Sequence, residues 1–420
     1  MKKLSAFMLL LASVLPFSSC KKESADPNAF KPQYDKNTSC SLMVRGHYDN
    51  FESLKQEFYR FNKYYPHVQL SYEYDKDHKK NILTALQGDT PPDIFFTYTS
   101  TDFASLSDYT EDLSSEELGL DLGCIRDNLL YEDADGKMPY VPIFTTSFGM
   151  MVNKNLFKKY SLRIPDTYQE LIKVCQNFKN KGVEYPMLGH TSMVLYPLYF
   201  PYFLSTIINN PTAIQALNTD TANAGQYVRS SLELAKDFMD RGFVDKEECS
   251  AIGDDYNKTI LRFFEGDVPM MLAKGNTFSG TEKRETQSEN FSKHPFKYSF
   301  VPVPSTERGG YCYNTVELCF SVNKQSQNRQ MANEFMRFLL SSNGKELNKM
   351  SQGKRMMTAC KDLSYDTAYS AFNSLDEDRF FAPSQFGLLD APDQQVRKAA
   401  NDIVWNGVTV DVAISKFGTY

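Results

Sequence analysis

Along the first quarter of the chain, the apolar positions change between the period of a strand and the period of a helix. Residues 41–47, 68–74 and 94–98 are short runs with alternating or continuous apolar side chains, which is typical of strands. Residues 51–65 and 78–86 separate these runs and place apolar side chains at helical spacing. Strand, helix, strand, helix and strand in this order predict a parallel sheet with right-handed crossovers.

After residue 140, strands and helices continue to mix, with more helix toward the carboxyl end of the chain. No internal repeat and no low-complexity tract interrupts them. The fold class that this order predicts is α/β. The predicted strands are 140–152, 268–273, 296–304 and 317–322, and the predicted helices are 155–160, 168–178, 227–241, 329–340, 344–350, 391–405 and 410–417.

The size and charge of the chain limit its organisation and its partners. A chain of 420 residues is too long for one core, because single cores stop growing at roughly 250–300 residues. Two lobes are therefore expected. The formal net charge of −6 argues against a nucleic-acid partner, which requires a basic face.

The amino terminus has the pattern of an export signal. A short basic start with Lys2 and Lys3 precedes an apolar stretch, 4–17. This stretch is too short to anchor in a bilayer and is followed by Ser18, Ser19 and Cys20. The pattern resembles the bacterial lipobox and predicts a lipoprotein signal peptide over residues 1–20, with lipid attached to Cys20. The alternative is ordinary secretion in which Cys20 is incidental. Residues 21–40 are polar, and a flexible tether is expected there.

Seven cysteines follow Cys20, and an odd number cannot all pair within one chain. None of them has the spacing of a zinc site, so no metal is expected. Free, mostly buried thiols are the favoured interpretation. A disulfide between Cys312 and Cys319 stays open as an alternative.

Four segments resemble motifs of a known family. They are the helix-to-strand turn at 61–68, the Gly-x-x-Pro-Pro-Asp run within 86–94, the Phe-x-x-Gly segment at 263–270, and the Val-x-Lys and Phe-x-x-Phe-Leu motifs within 321–339. In order and spacing, the chain resembles the family 1 extracellular solute-binding proteins of ABC importers, the group that includes maltose-binding protein. The resemblance implies a two-lobed fold of the periplasmic-binding-protein type II kind, whose hinge the chain crosses repeatedly.

The same resemblance implies a division of the chain into lobes. Crossings of the hinge are expected near Thr146, Val268 and Glu317. The expected amino-terminal lobe comprises 41–146 and 268–317, and the expected carboxyl-terminal lobe comprises 147–267 and 318–420.

Candidate ligand-binding residues follow from this resemblance and from sheet geometry. Ligands of parallel sheets bind beyond the carboxyl ends of the strands, which selects 47–49 and 98–102. Sugars favour aromatic platforms together with carboxylates, amides and hydroxyls. The chain departs from the family at 275–278, where many relatives have a Trp, and at Thr146, where many have an acidic residue. The candidates are His47, Tyr48, Asp49, Tyr98, Asp102, Thr146, Tyr196, Tyr199, Asn276, Tyr311, Tyr313, Glu317, Phe381 and Phe386.

The sequence contains no phosphate-binding glycine loop, no nucleophile elbow and no zinc-protease motif. We therefore expect no enzyme activity and no cofactor. The resemblance implies a monomeric lipoprotein outside the cytoplasm, which captures a small solute, an oligosaccharide first of all, and delivers it to ABC permease subunits. The alternatives are a binding subunit for a polyamine, metal chelate or peptide, and a surface lipoprotein glycosidase. A helical-repeat glycan-binding lipoprotein is disfavoured by the strand–helix alternation.

Overall fold

A computed structural model describes residues 28–133, 135–189, 195–219, 224–382, 388 and 390–418. Within them the chain forms two α/β lobes, each with its own sheet and hydrophobic core. The predicted fold class is thereby confirmed. The expected signal peptide and Cys20 lie outside the described residues.

The strands of the described residues occupy both lobes and the connections between them. They are β1 (Cys40–Gly46), β2 (Val68–Tyr74), β3 (Ile94–Thr97), β4 (Val141–Thr146), β5 (Phe148–Asn153), β6 (Met187–Leu188), β7 (Met270–Lys274), β8 (Tyr298–Val301), β9 (Val303–Thr306), β10 (Gly309–Tyr313), β11 (Thr315–Val322), β12 (Met357–Thr358) and β13 (Phe380–Phe381).

The helices cover the faces of the sheets. They are α1 (Glu52–Phe61), α2 (His78–Leu86), α3 (Phe103–Leu106), α4 (Lys154–Lys159), α5 (Tyr168–Asn180), α6 (Tyr196–Ile207), α7 (Pro211–Asn218), α8 (Arg229–Asp240), α9 (Lys246–Ile252), α10 (Tyr256–Phe263), α11 (Gly275–Ser279), α12 (Thr281–Glu285), α13 (Glu289–Lys293), α14 (Arg329–Gly353), α15 (Asp390–Asn406) and α16 (Val410–Ser415).

The first lobe is built on a six-stranded sheet in the order β12-β4-β11-β3-β1-β2. Strand β1 pairs in parallel with β2 and β3, which confirms the predicted parallel unit. Strand β11 runs antiparallel between β3 and β4. Leu54, Phe58 and Phe61 of α1 are buried against this sheet, as their helical spacing predicts, and Phe335 of α14 packs on the same rings.

The second lobe contains a four-stranded sheet in the order β6-β7-β5-β8 and a small sheet of β13, β10 and β9. Most of the aromatic side chains of the chain's second half pack in one large core around these sheets. Among the helices of the described residues, none combines the length and the apolar character that crossing a membrane requires.

Within the described residues, three connections pass between the lobes. Strand β4 of the first sheet continues through Ser147 into β5 of the second sheet, and β10 continues through Asn314 into β11. The third connection follows β12, where Leu363 packs on the core of the first lobe and Tyr365 lies in the core of the second. The first two connections change sheet one residue after Thr146 and three residues before Glu317.

The expected division of the remaining chain is wrong in two places. Strand β7 pairs with β5, and β8 also pairs with β5, so residues 268–313 belong to the second lobe and no crossing occurs near Val268. Strand β11 and helix α14 belong instead to the first lobe. Lobe membership is decided by strand pairing between distant segments, which no local pattern encodes.

The segment expected to be a tether is partly packed onto the first lobe. The ring of Phe30 lies 6.2 Å from that of Phe61 and 5.3 Å from that of Phe338. The backbone N–H of Gln33 donates to the Glu334 carboxylate at 2.9 Å. Residues 28–34 are therefore packed on the folded lobe, because the apolar ring of Phe30 is buried against its core.

Replacing Phe61 by Ala should lower the free energy of unfolding by about 3–5 kcal/mol, because the ring is fully buried and its removal leaves a cavity. Tyr59→Ala on the same helix is the matched control. Tyr59 is 64% exposed, and its loss should cost less than about 0.5 kcal/mol. Urea-denaturation curves measure both values, and equal effects of the two substitutions would contradict this packing.

Candidate functional site

The loops after β1 and β3 meet at the edge of the first sheet that faces the second lobe. The Tyr98 hydroxyl and the Nδ1 atom of His47 are 2.6 Å apart, in hydrogen-bond contact. The rings of His47 and Tyr48 lie 4.3 Å apart. The structure thus brings together three of the predicted site residues, as the geometry of parallel strands requires.

Tyr48 also contacts a basic residue from the end of α14. The Lys354 Nζ atom lies 4.3 Å from the centre of the Tyr48 ring and donates to the backbone oxygen of Asn50 at 3.2 Å. Burial lowers the pKa of Lys354, although the charge of Asp49 opposes this. An aromatic face with a partly desolvated cation beside it is a cation–π arrangement.

Glu317 connects the two lobes at this edge. It stands on β11 of the first lobe, and its carboxylate lies 3.4 Å from Lys274 Nζ and 3.4 Å from Asn276 Nδ2, both of the second lobe. Its side chain and that of Lys274 are each about one quarter exposed. Because the Glu317–Lys274 ion pair is only partly buried, the Glu317 carboxylate stays accessible to a ligand between the lobes.

A cavity of about 230 Å³ opens between the lobes around these groups. Tyr48, Glu317 and Lys354 line it from the first lobe, and Tyr256 and Asn276 line it from the second. Burial, followed by the nearby charge of Glu317, raises the pKa of Tyr256 and keeps its phenol protonated. The remaining lining residues are Asn257, Ile260, Thr277, Ser279, Gly280 and Met356.

Three polar atoms at the lobe junction are buried without a hydrogen-bond partner among the described residues. They are the Oγ1 atoms of Thr146 and Thr277 and the Oδ1 atom of Asn276. A buried polar atom without a partner costs about 1–3 kcal/mol. Asn276 and Thr277 line the cavity, so their unpartnered atoms can gain hydrogen bonds from ligand hydroxyl groups.

A second cavity, of about 300 Å³, lies beside the crossing from β10 to β11. Asn314 is fully buried there, and neither polar atom of its amide has a partner within the described chain. The rings of Tyr131 and Tyr140 stack in parallel on one wall, 5.7 Å apart. Thr99 and Val316 are also on the walls of this cavity.

Other predicted site residues lie in the core of the second lobe. Tyr196, Tyr199 and Tyr313 are each less than 7% exposed. The Tyr196 hydroxyl accepts from Arg397 at 2.7 Å and donates to Asp393 at 3.1 Å. These rings are therefore packed in the core and do not line the cavity between the lobes.

The last candidates occupy varied positions. Tyr311 is buried, with the Arg379 guanidinium 5.9 Å from its ring, while Asp49 is exposed. Asp102 is exposed and caps α3, where its carboxylate accepts from the Ser105 backbone. The backbone of Phe381 pairs in β13 opposite Tyr313, and Phe386 lies outside the described residues.

The sequence analysis missed four residues at this junction: Lys274, Lys354, Tyr256 and Arg355. Arg355 donates to Thr281 of the second lobe at 3.1 Å, and its guanidinium lies 3.8 Å from both Glu282 and Glu285.

Within the described chain, no group of three or more potential ligands could hold a metal ion.

The family model for bacterial extracellular solute-binding proteins matches residues 46–346, which is more than two thirds of the chain. The chain belongs to this family. Solute-binding proteins of this family are extracellular, so the protein is an exported binding protein.

Known relatives agree with this membership. The protein is 26% identical over 177 residues to the melibiose/raffinose/stachyose-binding protein MelE of Bacillus subtilis, a match that covers 42% of this solute-binding protein and 39% of MelE. Apo RafE from Streptococcus pneumoniae superposes with a TM-score of 0.70 at 16% identity and 91% and 97% coverage of the two chains. The GacH receptor of Streptomyces glaucescens gives a TM-score of 0.64 at 16% identity and 91% and 97% coverage. The two structures establish the fold.

The imidazole of His47 should titrate with a pKa of about 4 in the folded protein, because burial and then the positive charges of His78 and Lys354 disfavour its protonation. The unfolded chain, with a pKa near 6.5, binds this proton more tightly. This group therefore stabilises the fold fully above pH 6.5, and its contribution is lost as the pH falls toward 4.

NMR titration of the histidine ring signals measures the midpoint, and the His47→Gln variant identifies the signal by its disappearance. A midpoint near 6.5 for His47 would contradict the partly buried position beside Tyr48 and Tyr98.

Proposed function

We propose that this solute-binding protein captures an oligosaccharide between its two lobes and delivers it to the permease subunits of an ABC importer. The observation that carries the proposal is the cluster at the lobe junction. Glu317, Lys274 and Asn276 meet across the cleft, with the Tyr48 ring beside them.

The chemistry of this cluster suits a sugar. A pyranose presents apolar C–H faces, which pack on aromatic rings, and many hydroxyl groups, which require donors and acceptors. Tyr48 and Tyr256 supply rings, and Glu317 and Asn276 supply acceptors and a donor. The unpartnered oxygens of Asn276 and Thr277, two residues that line the cavity, add positions where ligand hydroxyls gain hydrogen bonds.

The relatives support the same ligand class. MelE is named for binding melibiose, raffinose and stachyose. RafE has been solved with raffinose, and this complex superposes on the present protein with a TM-score of 0.67 at 16% identity. GacH has been solved with acarbose. We further propose that the protein is a monomer and that it binds its ligand without transforming it.

Raffinose, stachyose and maltotriose should be tested by isothermal titration calorimetry against spermidine and a tripeptide, and binding is expected only among the sugars. Glu317→Gln should weaken sugar binding about 10- to 100-fold, because it removes a charged hydrogen-bond acceptor worth about 1.5–3 kcal/mol. Tyr48→Ala should weaken binding by about tenfold through loss of ring contact.

Tyr59→Ala is the control for these variants, since its exposed ring is on α1 and outside the cavity lining. Its affinity should equal that of the wild type. Binding confined to spermidine or the tripeptide would overturn the sugar assignment. Steady release of shorter sugars from stachyose, lost on substitution of a carboxylate, would establish the glycosidase alternative.

We further propose that Cys20 carries lipid and anchors the exported protein to the membrane. In a Cys20→Ala variant, incorporation of labelled fatty acid should fall to background while export continues. Cys40→Ala is the matched control and should keep the label, because Cys40 begins a strand of the folded lobe. Label remaining on the Cys20→Ala variant would contradict the anchor.

A further inference from the structure

Two cysteines that the proposed function does not use lie side by side in the first lobe. Cys124 ends a 3-10 helix at residues 122–124, and Cys360 follows β12. A Cβ atom added to Gly344 would lie 2.3 Å from the Cys360 sulfur and 3.3 Å from the Cys124 sulfur. Gly344, with φ of +75°, therefore leaves the space in which both sulfurs meet.

The backbone holds the two cysteines in register. Ile125 and Cys360 form an antiparallel bridge. The N–H of Lys361 donates to the Cys124 carbonyl at 2.9 Å, and the N–H of Arg126 donates to the Ala359 carbonyl at 3.1 Å. One backbone hydrogen bond on each side of the Ile125–Cys360 bridge holds the two segments together, so the two sulfurs beside Gly344 stay in one place, as a disulfide requires.

The two thiols also differ in acidity. Their mutual hydrogen bond lowers the pKa of Cys360, assisted by a hydrogen bond to Thr358 and by the charge of Arg126. The same thiol–thiol hydrogen bond, and then burial, raises the pKa of Cys124. Cys360 is thus the partner with the greater thiolate character, and the thiolate is the nucleophile in disulfide exchange.

Of the two cysteines, Cys124 is the one that lines a surface groove. Cys124 is 5% exposed and lines a cavity of about 560 Å³ together with Asp121, Arg337 and Leu363, whereas Cys360 is fully buried. An oxidant in this groove can reach Cys124 first.

We propose that Cys124 and Cys360 form a disulfide in the exported protein. The oxidant is a disulfide of the oxidoreductase or glutathione class, as expected outside the cytoplasm. Cys124 sulfur bonds to one sulfur of the oxidant while the oxidant's S–S bond breaks. The Cys360 thiolate then attacks the Cys124 sulfur and displaces the oxidant sulfur that is bound to it. The two thiols lose two protons and two electrons, and the oxidant leaves as two thiols.

The disulfide would hold the start of the third connection between the lobes in place. Residue 360 stands three residues before Leu363, which packs on the first core, and the chain enters the second core at Tyr365. Linking Cys360 to Cys124 therefore ties the start of this connection to the first lobe. The bond also closes a long loop, which restricts the unfolded chain.

The full-length protein should be isolated from the bacterial envelope, denatured in the presence of an alkylating agent and digested without reductant. Mass spectrometry should recover the peptide of Cys124 linked to that of Cys360, two hydrogens lighter than the separate peptides. Recovery of both cysteines in alkylated form, or of a Cys312–Cys319 linkage in their place, would overturn the proposal.

Reduction with dithiothreitol should lower the melting temperature of the wild type by about 5 °C. The Cys175→Ala variant is the matched control, since this buried cysteine lies in the second lobe, and it should show the same fall. Cys124→Ala and Cys360→Ala should show no fall on reduction. An equal fall in the melting temperature of these two variants would show that dithiothreitol acts on another group, and it would contradict the proposed bond.

Discussion

Two strand connections that run side by side fix where the lobes meet and what can lie between them. Thr146 at the end of β4 pairs with Thr315 at the start of β11, and the Ser147 hydroxyl accepts from the Tyr313 backbone at 2.9 Å. In both connections the chain passes from one lobe to the other within one residue of these contacts. Such paired crossings keep the lobes together while allowing rotation about them, so a ligand that touches both lobes favours the closed arrangement.

The position of the site follows from this hinge. Gly275 packs so closely on Thr146 that an added Cβ would lie 2.4 Å from its hydroxyl. This contact holds Asn276 at the hinge, next to Glu317 two residues into β11. The polar groups of the cleft are therefore placed by backbone packing rather than by flexible loops, which suits a site that must recognise hydroxyls at fixed spacing.

Local periodicity predicted the first lobe well, because α1, β2 and α2 bury the faces that their spacing indicates, and strands joined by crossover helices pair in parallel. The loops at Tyr48 and Tyr98 were predictable for the same reason. The lobe to which β7 belongs was not predictable, since its partner strand β5 is more than a hundred residues away in the sequence. The many aromatic residues around Tyr196 are equally compatible with a hydrophobic core and with a binding cleft, so the sequence could not show that Tyr196 is buried. The contact between Lys354 and Tyr48 joins residues far apart in the sequence and depends on where α14 ends in the folded protein.

Hydrogen–deuterium exchange with and without a bound oligosaccharide tests most directly whether the ligand bridges the lobes at this cleft. The account predicts slower exchange on both sides of the hinge at once, in residues 47–49 and 98–102 of the first lobe and in residues 275–280 of the second. Protection confined to one lobe, or located away from the Glu317 junction, would contradict it.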